Sequence, residues 1–338
     1  MRSVSVRSTG CFVPPREITN DALRARWAAS APEFVDKQQA ASGITTRWAA
    51  PEDWATSDLC VPAAQQALER AGISAMDLDL IVLGTDSPDY ITPSTSVVLQ
   101  RKLGALNAGT FDVGCACASF PTALATAAGL MATQPHLRRV LVVAAYMMRK
   151  LSDPMDTMSF FYGDGAGAAV LEPSDVPGVL TAAFLADGNY AQAWGIYAGG
   201  TAEPATPENI AAGRTQVRLV GKYPPEVNEN GWPTLAKRLA TQGGFALADV
   251  DCWIFTQVRK RTIEKVMAGL ALPIERAHMV MQKWGYTGSA CIPMALHDAI
   301  AQQKVGPGSL VALIGSGVGY NQAAVALRLT DRLVSHDG

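Results

Sequence analysis

The chain reads as a layered α/β protein made of two similar halves, and three observations carry that reading. Six apolar segments have the length and patterning of strands, most of them buried: "DLIVLGT" from Asp79, "RVLVVAA" from Arg139, "AGAAVLE" from Ala166, "CWIFTQ" from Cys252, "SLVALIG" from Ser309 and "AAVALRL" from Ala323. Alanine-rich helical stretches such as "DLCVPAAQQALERAG" and "FPTALATAAGLMAT" lie between them, and strands alternating with helices imply stacked α and β layers. The third observation is an internal match. "AGISAMDLDLIVLGT" (71–85) resembles "GGFALADVDCWIFTQ" (243–257), so that Gly72, Asp77 and Asp79 fall on Gly244, Asp249 and Asp251, 172 positions on. The same offset sets "SFPTAL" (119–124) on "CIPMAL" (291–296). Similar elements of this kind share Gly-Asp turns and Ala-Leu helices, yet one offset at two distant places favours duplication. The halves would be residues 1–174 and 175–338, each of ordinary domain size.

The composition agrees and removes several function classes. With 338 residues, 49% apolar and 17% charged, the chain has ample material for a buried core. A formal net charge of −2 offers nucleic acid no electrostatic footprint. The opening "MRSVSVRSTGCFVPP" has no apolar core of signal-peptide length. The run "VLVVAAYMM" from Val140 is about half of what a membrane span requires. The expectation is a soluble, cytoplasmic protein with no membrane partner. Six cysteines (11, 60, 115, 117, 252, 291) are scattered without paired Cys/His spacing, so neither a metal site nor a disulfide framework is expected.

Two glycine-rich segments, "GDGAGAAVL" (163–171) and "GSGVGYNQAAVAL" (315–327), close the halves. Each is followed by a strand-like run rather than the helix that would hold a pyrophosphate, which argues against dinucleotide binding. Gly163, Gly165 and Gly167 fit a tight turn entering a strand. Gly315, Gly317 and Gly319 have the better claim to function, because a residue without a side chain lets a backbone N–H approach a reacting carbonyl.

In "DVGCACASF" (112–120), Cys117 precedes a helix with Pro121 in its first turn. Free N–H groups and the positive end of the helix dipole would favour its thiolate. Free cysteine is also among the most buried residue types, so a core role stands beside the nucleophile reading. Cys115 fits a small apolar core residue.

Taken in order, "SGITTRW" (42–48), "DSPDYITPSTS" (86–96), "DVGCACASF", "YGDGAGAAVLEP" (162–173), "ADGNY" (186–190), "GYTGSACIPMALHDAI" (285–300) and "GSGVGYNQAAVAL" resemble the β-ketoacyl-ACP synthase III branch of the thiolase-like condensing enzymes. The resemblance implies a thiolase-like fold of two duplicated halves, each with a mixed five-stranded sheet, layered α-β-α-β-α. It also implies a homodimer with the nucleophile loop near its interface. In the family the cysteine matching Cys117 takes an acyl group from a coenzyme A thioester, and the enolate of a decarboxylated, carrier-bound malonyl group attacks it. The N–H groups of Cys117 and Gly317 would form the oxyanion hole. No tightly bound cofactor is implied. Coenzyme A or phosphopantetheine thioesters are the expected substrates, with an acyl carrier protein among the expected partners.

The sequence departs from the family where malonyl is held. Thr256 stands where the family His falls, and Tyr286 replaces the Asn of "GNTS". None of His136, His278, His297 or His336 matches a family catalytic position. Losing one preorganised oxyanion donor costs roughly 10²–10³ in rate, about 2.7–4 kcal/mol, so two altered donors should cripple decarboxylation while sparing acylation of Cys117. Around the donor, Phe34 matches the aromatic that flanks coenzyme A, and Thr157 falls near the place of the Arg opposite it. Arg259 and Arg261 are candidates for a phosphate, with a solvated helix face the plain alternative. Thr92 replaces a pocket-capping Phe, which points to a primer larger than acetyl. Phe160 and Phe161, within "MDTMSFF" (155–161), would line an apolar tunnel, although such a run is commonly core. "YPPEVNENGWP" (223–233) would reshape the acyl entrance.

Three readings follow. The first is an acyltransferase of specialised, polyketide- or fatty-acid-like metabolism that passes an acyl group from Cys117 to an acceptor other than decarboxylating malonyl. The second is a degenerate partner subunit of a condensing enzyme. The third is a decarboxylating synthase with donors relocated to Gln257, Asn321 or Tyr286.

Overall fold

The computed structural model describes residues 2–221 and 223–334; His336 lies outside them. The chain opens with β1 (Ser3–Phe12), then β2 (Arg16–Thr19), α1 (Asn20–Trp27), α2 (Phe34–Ser42) and β3 (Thr46–Ala49), where β2 and β3 form a small antiparallel pair. The first half continues through α3 (Thr56–Ala71), β4 (Leu80–Gly84), α4 (Thr95–Leu103), β5 (Gly109–Val113), α5 (Ser119–Thr133), β6 (Val140–Tyr146) and β7 (Gly165–Ser174). The second half holds β8 (Val179–Ala186), β9 (Trp194–Gly195), α6 (Pro207–Ala211), β10 (Arg218–Leu219), α7 (Glu226–Gly243), β11 (Cys252–Phe255), α8 (Lys260–Gly269), α9 (Met281–Trp284), α10 (Cys291–Ala301), β12 (Leu310–Gly317) and β13 (Asn321–Arg328).

The first sheet has strand order β1-β7-β6-β4-β5, and the second β11-β12-β13-β8. Helices α5 and α10 lie between the sheets, α5 against β12 and β13 and α10 against β1 and β7. Helix α3 covers the outer face of the first sheet and α7 that of the second, giving five layers. Strands covered on both faces should be continuously apolar. All seven residues of β6 and all eight of β12 are buried.

The 172-residue offset is a structural equivalence. Helices α3 and α7 both end at a left-handed glycine, Gly72 (φ 68°) and Gly244 (φ 69°), a conformation in which glycine pays no Cβ penalty. Asp77 and Asp249 each accept a backbone N–H at the start of a 3₁₀ turn, from Ser74 and Ala246. Asp79 and Asp251 then tie β4 and β11 to the following strands, accepting the N–H of Arg139 and of Leu310 at 2.8 Å.

The halves differ at one edge. The fifth position of the second sheet is not a strand among the described residues but a single parallel bridge, Trp253 to Ala277. Beyond it the Gln257 side chain replaces backbone pairing: its amide donates to His278 O at 3.1 Å and to Phe255 O at 2.8 Å, and accepts the Val280 N–H at 2.8 Å.

The glycine segments serve close packing as well as turning. A Cβ at Gly167 would lie 2.8 Å from the Met294 backbone nitrogen, so α10 seats directly on β7. One run, Ala116–Thr133, is long and apolar enough to cross a membrane, a test the Val140 run fails. Its burial between two sheets explains its apolarity.

Candidate active site

The site forms where strands end. Asp86 lies two residues beyond β4, Cys117 follows β5, Tyr146 closes β6, Thr256 follows β11 and Gly317 closes β12. Open α/β sheets place ligands at the carboxyl ends of parallel strands, and here β4, β5 and β6 of one sheet converge with β11 and β12 of the other.

Cys117 sits in a 3₁₀ turn, Ala116–Ala118, that runs straight into α5. Ala116 adopts φ 46°, a left-handed conformation costly for a residue with a Cβ. The Ser119 hydroxyl accepts the Cys115 N–H at 2.9 Å, and Ala118 N–H donates to Cys115 O at 3.0 Å. Gly317 closes over this turn: a Cβ there would lie 3.0 Å from Cys117 N and within contact distance of Cys115 O. The expected pairing of Cys117 with Gly317 is thus a backbone-to-backbone approach. Cys115 departs from the core role expected for it and is half-buried at the turn.

Cys117 is 4% exposed, and its Sγ is hydrogen-bonded to the Tyr286 hydroxyl. Tyr286 is pinned through its backbone, its N–H donating to Phe161 O at 2.8 Å and its carbonyl accepting from Gly163 at 2.9 Å. Behind this ring Gly288 (φ 40°) makes room for Tyr146. The Tyr146 ring occupies the space a Cβ at 288 would need, and it packs on Tyr286 with centroids 5.8 Å apart.

Burial pushes the Cys117 thiol well above its ordinary pKa, helped by the Asp86 carboxylate and the Cys291 thiol; the Tyr286 hydrogen bond and the backbone N–H pull the other way without prevailing. The Cys117 thiol is therefore biased toward its neutral form, against the expectation that the helix terminus favours its thiolate. Desolvation of an ion in an apolar site outweighs a partial dipole charge.

A cavity of about 580 Å³ leads to Cys117. Its walls run from exposed Arg261 and Lys265, past Arg259, Phe161 and Thr256, to Tyr286, Gly317 and the thiol. Tyr223, Pro224, Pro225, Val227 and Asn228 also line it, so the 223–233 segment does shape the entrance. The Arg259 guanidinium lies 5.6 Å from the Phe161 ring centroid, and burial lowers its pKa. A second cavity of about 170 Å³ borders the same thiol on the inner side, between Asp86, Tyr146, Met148, Trp194, Ile196, Val217 and Tyr286.

Several expected site residues lie elsewhere. Thr256 is on the cavity wall, but its hydroxyl oxygen accepts the Ser316 N–H at 2.8 Å, bracing the end of β12. The Gln257 amide is consumed by the edge clamp, and Gln257 and Asn321 line neither cavity. Phe160 is fully buried beneath the Arg47 guanidinium, 4.7 Å from its ring centroid. Phe34 packs edge-on against Trp27 and Phe160 and does not reach the cavity wall. Thr92 is on an exposed loop away from both cavities of its own chain. His136 is exposed, His278 hydrogen-bonds Asp298 at 2.8 Å and His297 meets Thr9 at 3.1 Å; none lines either cavity.

Asp86 and Tyr146 had not been singled out. Ser289 Oγ donates to Asp86 Oδ1 at 2.7 Å, and burial raises the Asp86 pKa to about 6. The available signal was position: a carboxylate immediately past a buried parallel strand.

A duplicated five-layer α/β fold with a buried cysteine at the foot of a surface-reaching cavity, under a glycine backbone, defines the thiol-dependent condensing and acyl-transferring class. Comparison with known proteins narrows it. Residues 240–329 match the family described as 3-oxoacyl-[acyl-carrier-protein] synthase III C terminal, and residues 111–188 match 3-oxoacyl-[acyl-carrier-protein] synthase III. A β-ketoacyl-[acyl-carrier-protein] synthase III of Syntrophomonas wolfei is 33% identical over 96% of this chain and 97% of its own. The chain belongs to the β-ketoacyl-ACP synthase III family. Among solved structures it is similar to the 3-oxoacyl-[acyl-carrier-protein] synthase III of Aquifex aeolicus (TM-score 0.84, 27% identity, 96% of this chain and 100% of that one). It is also similar to the priming β-ketosynthase of a polyketide biosynthetic pathway (TM-score 0.88, 29% identity, 98% and 97%).

Proposed function

We propose that the protein is an acyltransferase that loads an acyl group from a coenzyme A or carrier-bound thioester onto Cys117 and passes it to an acceptor other than a decarboxylating malonyl thioester. The observation that carries this reading is the Cys117 thiol at the floor of a cavity open to the surface, beneath Gly317 and hydrogen-bonded to Tyr286. Arg259 and Arg261 line the approach and have no ion-pair partner among the described residues, which suits the phosphate of a pantetheine-type donor. In the loading step Sγ attacks the thioester carbonyl, its proton passes to the departing thiol, and the Cys117 and Gly317 N–H groups receive the oxyanion. Transfer reverses the sequence with the acceptor as nucleophile.

What disfavours malonyl decarboxylation is the loss of two polar groups. Thr256 is engaged with Ser316, no histidine among the described residues lines the cavity, and Tyr286 is engaged with the thiol itself. The size of the cavity and its reach to the Cys117 thiol disfavour the purely scaffolding role. Intact-mass analysis after incubation with acyl-coenzyme A donors should give one acyl adduct that is lost in Cys117→Ala. The reading fails if no donor gives that adduct. It fails also if the protein releases CO₂ from malonyl thioesters at the rate of an ordinary synthase, which would favour relocated donors.

A further inference from the structure

An acyl group on Cys117 has two directions in which to extend. The outer cavity reaches the surface, and the remainder of the thioester donor and then the acceptor must occupy it. The inner chamber shares Cys117, Trp194, Tyr286 and Val318 with that cavity, while Asp86, Tyr146, Met148, Ile196 and Val217 line the chamber and not the outer cavity. It is the space left for the acyl chain. Most of its wall is apolar: Met148, Trp194, Ile196, Val217 and Val318.

Asp86 breaks that wall. Buried carboxylates normally meet a cation or cap backbone N–H groups, and its neighbours do so. Asp112 accepts the N–H groups of Thr95 and Ser96 at the head of α4, at 2.7 and 2.8 Å. Asp164 takes the Arg149 cation at 3.1 Å and the Ala50 N–H at 2.9 Å, both on Oδ2, while its Oδ1 has no hydrogen-bond partner. Asp86 has Ser289 on Oδ1; among the described residues no cation and no protein donor from another residue meets Oδ2. The Ser289 hydroxyl and its own backbone N–H offset only part of its desolvation, and the half-buried side chain lines the chamber.

We propose that Asp86 selects the acyl group: the inner chamber takes a short acyl chain whose far end carries a hydrogen-bond donor, a hydroxyl or an ammonium, received by the free carboxylate oxygen. The inference rests on the acyl-Cys117 reading above and adds the substrate class. The chamber volume of about 170 Å³ limits the chain, since a cavity of about 150 Å³ accommodates benzene and hence about six heavy atoms. Near neutral pH the carboxyl is mostly ionised, its pKa being raised only to about 6. A plain alkyl chain would leave the charge unpaired, and sites built to hydrogen-bond a substrate reject analogues that lack the donor.

Three isosteric coenzyme A thioesters test this: butyryl, 3-hydroxypropionyl and β-alanyl, each followed by the rate of adduct formation on Cys117. At least one donor-bearing chain should acylate ten times or more faster than butyryl. Asp86→Val should invert the order. Asp86→Asn, which keeps an acceptor oxygen but no charge, should spare 3-hydroxypropionyl and lose β-alanyl. Should the valine variant not fold, the wild-type ratio decides. Butyryl reacting as fast as or faster than both others overturns the inference while leaving acyl transfer intact; no adduct from any of the three donors, or from longer acyl thioesters, removes the acyl-Cys117 reading and this one with it.

Discussion

At the residue scale the site turns on two acids whose pKa values burial raises. Desolvation disfavours the Cys117 thiolate, so its alkylation by iodoacetamide should keep rising with pH beyond about 10, where an ordinary thiol of pKa about 8.5 is almost fully ionised and levels off. A plateau at or below that pH would contradict the burial argument. Asp86 carries the opposite consequence for stability. Its folded pKa of about 6 exceeds its unfolded value, so the folded state binds the proton more tightly and stability falls as pH rises from about 4 to 6. At neutral pH the full cost is present, and two pKa units correspond to about 3 kcal/mol. Asp86→Asn should therefore raise the unfolding free energy measured by denaturant titration at pH 7.5 by about 1–3 kcal/mol and lose that advantage near pH 4. An equal effect at both pH values would mean that the carboxyl is not desolvated.

At the element scale, glycines mark where secondary structures touch. Gly317 lets β12 approach the nucleophile turn, and Gly288 leaves room for Tyr146 behind Tyr286. Gly288→Ala adds a Cβ at a positive φ and against a buried ring. The expected cost is about 1–3 kcal/mol of stability, with displacement of Tyr286 and loss of acyl transfer. Tyr146→Val in the same chain should recover much of the stability, because it vacates the contested volume; chemical denaturation of the single and double variants measures the coupling. The strands and the paired helices were legible from apolar patterning and from the 172-residue offset. The missing fifth strand was not, because the Gln257 side chain does the pairing there, and local pattern says nothing about a side chain that substitutes for backbone.

At the scale of the whole molecule, the 87–94 loop beside the nucleophile half exposes Tyr90 (59%) and Ile91 (78%). Large apolar side chains clustered on a surface loop mark an interaction surface, in keeping with the homodimer the family resemblance implies. Sedimentation should give twice the chain mass for the wild type and a shift toward monomer for Ile91→Asp. A monomeric wild type would overturn the reading of this loop as an interface.

The sequence by itself determined the fold and its duplication, and marked Cys117, Thr256 and Tyr286 as candidate site residues, because these depend on periodicity, spacing and residue identity along the chain. Tertiary structure alone decided which side chains meet. It put Tyr286 on the Cys117 sulfur, withdrew Gln257, Phe34 and Phe160 from the cavity, and brought Asp86 to the inner chamber. The physical reason is that the site is assembled from five strand ends in two sheets, and the direction of a side chain there is fixed by packing between halves that lie far apart in the chain.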